Sequence, residues 1–381
     1  MIPGFTSTGS KQPGLLFGTS IGVPGRMVRG EGCRIRDEDG REYIDLIMAL
    51  GAVSLGYAHP GVTAAAERAV RDGTVGSLAP RHEAELAERL VALMPGVEAV
   101  RFLKTGAEAV AAAVRMARVH TGRDRIVTCG YHGWLDLTSD ASGVPECVRN
   151  LRTSVPFNDV TALADALDGA PVAAVVIEPV VDAPPTREWL DALRREATRA
   201  GAVLIADEIK TGLRLGPGGA AERYGFEPDL VVWGKALGNG FPIAAVGGAT
   251  ALMDAARRTW ISSTLATEYV SLAAALAVLD AFAYDDIAAR LAALGGVLLS
   301  GFQEIAARVP TLVHGVRGIP EFCYLEFADA ATGAQAARRC AEHGLLVKWN
   351  AYNFVSAAHT GEIIRESLGC LDAVLETMAY G

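Results

Sequence analysis

An α/β fold with a mostly parallel sheet, joined to a smaller α+β domain, follows from three observations in this chain of 381 residues. Short apolar runs alternate with segments of helical spacing over most of its length. The runs are continuously apolar and do not alternate with polar residues, as strands covered on both faces require. Beyond about Ala281 the texture becomes helix-rich, with only two strand candidates.

Each element follows in order. The opening, up to about Arg29, is rich in Gly, Ser and Pro and predicts a segment wrapped over the surface. "GCRIRDEDGREYIDL" (Gly32 to Leu46) predicts a hairpin turning at Asp39-Gly40. Strands are predicted at "AVRFLK", "DRIVTCG", "AAVVIEPV", "AVLIADEI" and "DLVVWG", and helices at "HEAELAERLVALM", "EAVAAAVRMARVH", "NDVTALADAL" and "REWLDALRREATRAG". That alternation is the pattern of a parallel sheet with helices on both faces. After "SLAAALAVLDAFAYDD", "FCYLEF" and "GLLVKW" are the remaining strand candidates. The division predicted is a large domain over 46–281 and a small one from 1–45 with 282–381.

Composition narrows the function. The net charge of −9 is spread along the chain, so no basic footprint exists for nucleic acid or an anionic membrane. The six cysteines show no CxxC spacing, which predicts neither a metal site nor a disulfide framework. The N-terminus "MIPGFTSTGSKQPG" lacks the charged and apolar regions of a signal peptide. No apolar run approaches the roughly 18 to 20 residues that span a bilayer. A cytoplasmic protein acting on small molecules is the expectation.

Ligands of a parallel sheet collect at the carboxyl ends of its strands. Along that edge lie Thr105-Gly106-Ala107, with a helix predicted from Glu108, then Tyr131, His132 and Trp134, then Glu178, Asp207 and finally Lys235. A plain turn, cap or salt bridge accounts for each one singly. Asp207 and Lys235 together are harder to dismiss. They stand 28 positions apart, about one helix and one strand, which suits neighbouring strand ends. Free helix N–H groups for a phosphate, an aromatic face, an acid and a lysine are the parts that hold pyridoxal 5'-phosphate: the lysine forms a Schiff base and the acid keeps the ring nitrogen protonated. A nucleotide-dependent oxidoreductase is disfavoured because neither "GPGG" nor "GKALGNG" sits in a strand–GxGxxG–helix frame. A non-catalytic scaffold is disfavoured by the intact Lys235 and Asp207.

From Gly32 to Phe282 the chain resembles the class III pyridoxal-phosphate aminotransferases of fold type I, in the branch of the glutamate-1-semialdehyde aminomutases. The motifs that carry the likeness are "RDEDGREYIDL", "GYAHP", "VRFLKTGAEA", "CGYHGW", "IEPV", "ADEIKTGLR" and "DLVVWGKALGNGFPIAAVGG". The resemblance implies Lys235 as the Schiff-base lysine and Asp207 as partner of the pyridine nitrogen. Tyr131 and Ile209 would cover the two ring faces, and Gly106 and Ala107 would bind the phosphate, with Thr105 nearby. Glu178 would lie near the cofactor, and Thr264 would reach the phosphate of a neighbouring subunit, implying a homodimer. Trp134 and Arg81 are candidates for the substrate pocket.

The chain departs from the family pattern in several places, among them "LATEYVS" after the threonine and a shortened N-terminal segment. Ala107 replaces a hydroxyl residue, Lys210 stands where Gln or Met is common, and no C-terminal arginine motif clamps a carboxylate. Transamination between an amino donor and a carbonyl acceptor, in specialised biosynthesis, is the activity expected. An aminomutase or epimerase of the same family is the alternative.

Overall fold

The computed structural model describes residues 2–380 and divides into two compact units, one of residues 60–288 and the other of the segments on either side. The boundaries therefore fall at His59/Pro60 and Ala288/Ala289, and not after residues 45 and 281. Hydrogen bonds explain the first shift. Leu46 donates to the Leu346 carbonyl and accepts from the Phe354 N–H, while Ala357 donates to Ser54, so residues past 45 stay tied to the outer unit.

That unit begins with strands β1 (Met27–Glu31), β2 (Arg34–Asp37) and β3 (Glu42–Asp45). β2 and β3 form the hairpin expected around Asp39-Gly40. Asp37 fixes the turn by accepting from the Asp39 and Arg41 N–H groups at 3.1 and 2.9 Å and from the Tyr43 hydroxyl at 2.7 Å.

In the central unit seven strands form one sheet: β4 (Ala99–Leu103), β5 (Arg125–Cys129), β6 (Arg152–Ser154), β7 (Val172–Ile177), β8 (Val203–Asp207), β9 (Leu230–Trp233) and β10 (Ala244–Gly248). Their order is β4-β10-β9-β8-β7-β5-β6. The pairs β5/β6, β5/β7, β7/β8 and β8/β9 are parallel, and β10 runs antiparallel to both neighbours. The carboxyl ends of β4, β5, β7, β8 and β9 therefore share one edge.

β6 and β10 are additions to the sequence expectation. β6 spans three residues, too few for a hydrophobic pattern, and β10 ends in two glycines. β10 can return between β9 and β4 because Asn239 and Gly240, at φ 43° and 101°, turn the chain back just after Lys235. This is the use of the glycines in "GKALGNGFP". The Gly106–Thr121 helix buries Ala109, Val110, Ala113, Val114, Met116 and Ala117 in the core formed with Ile126, Val176, Ile205 and Val232.

The outer unit closes with β11 (Val313–Ile319), β12 (Phe322–Phe327), β13 (Leu345–Leu346) and β14 (Asn353–Phe354). β13 adds to the first sheet beside β3, in parallel, and β11-β12-β14 form an antiparallel sheet. The Ile287–Arg308 helix approaches this sheet so closely that a Cβ on Gly295 would lie 1.8 Å from the Pro320 carbonyl oxygen. Gly295→Ala is therefore expected to cost about 1–3 kcal/mol, read as a lower urea midpoint with an unchanged slope. An unaltered midpoint would mean that the turn at Pro320 yields freely. Among the described residues no helix is long and apolar enough to cross a membrane.

Candidate active site

β8 delivers Asp207 to the carboxyl edge of the sheet, where it is 3% exposed. Its Oδ2 lies 2.7 Å from His132 Nδ1, and its Oδ1 accepts the Ile209 N–H at 3.2 Å. His132 comes from the loop after β5, and its Nε2 lies 3.1 Å from the Cys129 carbonyl. Both ring nitrogens thus face acceptors. The ring is thereby held between the Asp207 carboxyl and the backbone at the end of β5. The neighbouring Glu208 turns away: it accepts from the Ala220 and Ala221 N–H groups at 3.0 and 2.8 Å, and burial pushes its carboxyl up to about 7. Of the acidic pair in "ADEI", Asp207 alone belongs to the edge cluster.

Glu178 follows β7. Its Oε2 accepts the Tyr131 N–H at 2.8 Å, and its Oε1 lies 2.9 Å from Lys210 Nζ. The Tyr131 and Trp134 side chains stand exposed above that loop. Lys235 follows Gly234 at the end of β9 and is half-buried, with a left-handed backbone at φ 43°. Such a conformation costs a non-glycine residue roughly 1–2 kcal/mol and persists where the surroundings fix it. Burial first, then the like charges of Lys210 and Arg214, against the opposing Glu178 and Asp207, bring its amine down to about 8.

At the end of β4 the Gly106–Thr121 helix starts two residues earlier than the expected Glu108. Thr105 is its N-cap, and its hydroxyl is spent in a capping box with Glu108, whose carboxylate in turn accepts the Thr105 N–H at 2.9 Å. Gly106 and Ala107 therefore hold the first helical positions, whose N–H groups have no partner within the helix and carry the positive end of its dipole. A Cβ on Gly106 would lie 2.5 Å from Ile209 Cδ1, so Ile209 packs directly on this turn. Lys104 Nζ pairs with Glu268 Oε1 at 2.7 Å, tying the same turn to the end of the loop that carries Thr264. Sequence reasoning named neither Lys104 nor Glu268.

Two candidates stand elsewhere within the chain. Thr264 is exposed in its loop. Arg81 begins the Arg81–Leu93 helix and lines a cleft of about 270 Å³ with Arg68, Asp72, His82, Glu85 and Asp280, none of them a strand-edge residue. His132, placed on the strand edge by the sequence but given no role there, proves to be the partner of Asp207.

The arrangement fits pyridoxal 5'-phosphate. A shielded amine, a buried carboxyl group, an exposed aromatic ring and a helix N-terminus without side chains beyond Cβ occupy one edge of one sheet. Known proteins agree. A family model described as "Aminotransferase class-III" matches residues 22–366. The glutamate-1-semialdehyde 2,1-aminomutase of Thermomicrobium roseum is 35% identical over 93% of this chain and 91% of its own length. That of Symbiobacterium thermophilum is 34% identical over 94% and 92%. Among solved structures, a transaminase with PLP bound superposes with a TM-score of 0.91 at 28% identity, covering 100% of this chain and 95% of that one. The FumI protein of Sphingopyxis sp. MTA144, in its PLP internal aldimine form, gives 0.90 at 28% identity over 96% and 91%. With the fold, the edge cluster and these likenesses in agreement, the chain belongs to the class III aminotransferases, enzymes of fold type I whose cofactor is pyridoxal 5'-phosphate.

Proposed function

We propose that the enzyme moves an amino group between adjacent carbons of one small amino aldehyde or amino ketone, as an aminomutase. The observation that carries the chemistry is the placement of Lys235 and the His132–Asp207 pair at the ends of adjacent strands β9 and β8. The choice of aminomutase is supported by the curated relatives, which are named glutamate-1-semialdehyde 2,1-aminomutases along nearly their whole length.

When bound, the cofactor supplies an aldehyde and an electron-withdrawing ring. The protein's residues would do the rest. Asp207, oriented by His132, would hold a proton at the ring nitrogen. Gly106 and Ala107 bind the phosphate through their N–H groups, with Thr105 holding the turn. Tyr131 and Ile209 cover the two ring faces. Lys235, its amine lowered to about 8, would hold the cofactor through its aldehyde and would carry a proton to and from the substrate carbon. Thr264 of a second copy would complete the phosphate site in a homodimer, and Trp134 borders the substrate. A loss of Thr264 by substitution with Ala is expected to weaken cofactor retention about threefold to tenfold, the worth of one hydrogen bond, as measured by dialysis against free cofactor.

Transamination to a second carbonyl compound, in specialised biosynthesis, is the other assignment, favoured by the likeness to a PLP-bound transaminase over the whole chain. Incubating the enzyme with glutamate-1-semialdehyde alone separates the two. Isomerisation without any added acceptor supports the aminomutase. Release of a keto product that stops after one equivalent, and resumes on adding an acceptor, supports the transaminase.

A further inference from the structure

Thr264 stands in a run of exposed residues, Ser262 to Leu265, so its position depends on how the ends of that loop are held. The Ala266 N–H donates to the Ser263 carbonyl at 3.1 Å, and the Glu268 N–H to the Leu265 carbonyl at 3.2 Å. These bonds fold the segment into two successive turns, along which a shift at Glu268 passes to Thr264. Three cations of one continuous segment, β4 and the helix it enters, grip the loop. Arg101 donates to the Ile261 carbonyl, Arg115 to the Trp260 carbonyl at 3.0 Å, and Lys104 Nζ to Glu268 Oε1 at 2.7 Å. Lys104 directly precedes the Thr105-Gly106-Ala107 turn. Glu268 caps the Tyr269–Tyr284 helix, accepting the Val270 and Ser271 N–H groups at 2.7 and 2.9 Å. The pair therefore bridges the N-termini of two helices, with its side chains only 12% and 15% exposed. Burial works to raise the Glu268 carboxyl, but the hydrogen bonds from Lys104 and Ser271 bring it below its ordinary range.

We propose that Lys104 and Glu268 are positioning residues for the cofactor phosphate. From one point the pair sets both the turn that binds phosphate within its own copy and the loop that carries Thr264 to the site of a second copy. A donor already held in place loses less freedom when its ligand arrives, so the pair acts on affinity without touching the ligand. Lys104 then works through Thr264, and removing either should forfeit the same hydrogen bond. The proposal rests on the reading of Thr264 as a phosphate ligand of a neighbouring site.

The test compares two ligands on the full-length protein freed of cofactor: pyridoxal 5'-phosphate, and pyridoxal, which lacks the phosphate. Their dissociation constants are read from visible absorbance. Lys104→Met keeps most of the side chain's length and removes its charge. Glu268 retains the Val270 and Ser271 N–H groups, so the helix keeps its cap and the melting temperature should hold to within a few degrees. Should that variant nevertheless fail to fold, Lys104→Gln carries the same comparison. Lys104→Met is expected to weaken pyridoxal 5'-phosphate by about threefold to tenfold, the worth of one hydrogen bond, and to leave pyridoxal unchanged. In a Thr264→Ala background it should add nothing, since the two changes remove one interaction. Lys104→Arg, which can still pair with Glu268, is expected to keep the wild-type values. Unchanged binding of pyridoxal 5'-phosphate by Lys104→Met overturns the proposal. So does equal weakening of both ligands, which would mean a general loosening, and so do losses from Lys104→Met and Thr264→Ala that multiply. Thr264→Ala without effect removes the reading of Thr264, and the proposal with it. An effect of Thr264→Ala with none of Lys104→Met leaves that reading standing and removes only the role of the pair.

Discussion

Lys235→Ala is expected to abolish the visible absorbance of bound cofactor and to lower turnover by roughly 10⁴-fold, the upper end of what a positioned acid–base group contributes and short of what a covalent anchor adds. The expectation comes from where the residue stands. It stands two residues beyond β9 in a left-handed backbone, followed by the turn at Asn239 and Gly240 that sends β10 back through the sheet. Alanine in that conformation bears the same backbone cost as lysine, so the variant should keep its fold and its melting temperature to within a few degrees. The loss should therefore be chemical. A variant with unchanged melting behaviour, no cofactor absorbance and no turnover is the predicted result. Turnover within tenfold of wild type would place the reactive amine elsewhere. Lys235→Arg sharpens the test, because it retains a cation that can occupy the space yet stays protonated and cannot bind an aldehyde. Rescue by arginine would mean that only the charge mattered.

How much of this site the sequence displayed depends on the distance over which each relation acts. Asp207, Glu178 and Lys235 were legible because each is a polar residue emerging from an apolar run, a local feature that needs no tertiary knowledge. The His132–Asp207 bond was not legible, since the two residues are 75 positions apart and meet only because β7 alone separates β5 from β8 in the sheet. The Glu178–Lys210 pair was hidden for the same reason, being made across the ends of β7 and β8. Thr105 shows the opposite case. Its position was plain, but the capping box that consumes its hydroxyl could be seen only once the helix was found to begin at Gly106. In the fold, the long apolar strands were readable, whereas β10 was not: a strand of two alanines, a valine and two glycines has almost no β propensity, and it exists because its neighbours pair with it on both sides. The short β14 likewise depends on partners, pairing with β12 through only Phe354 and Asn353.

Asp207→Asn should be the second most damaging change, lowering kcat/KM by about 10²–10⁴-fold while leaving Lys235 able to take up cofactor. Asparagine fills the same volume and can still accept the Ile209 N–H with its oxygen. What it cannot do is carry a negative charge at the buried position where His132 now delivers an N–H from 2.7 Å. The amide would have to offer its oxygen to two donors or turn its NH₂ toward one of them, and a proton at the ring nitrogen would lose its counter-charge. Every step that places negative charge on the substrate carbon would then be disfavoured, at 1.4 kcal/mol for about each factor of ten. His132→Gln offers a graded comparison. It keeps a donor toward Asp207 but gives up the ring that also reaches the Cys129 carbonyl, so Asp207 is held less firmly and a smaller fall of about tenfold is expected. If the two substitutions cost the same, His132 and Asp207 work as one unit whose charge is shared. If Asp207→Asn costs less than tenfold, the carboxylate is a structural cap for the loop after β8, and the proton at the ring nitrogen must be held by some other group.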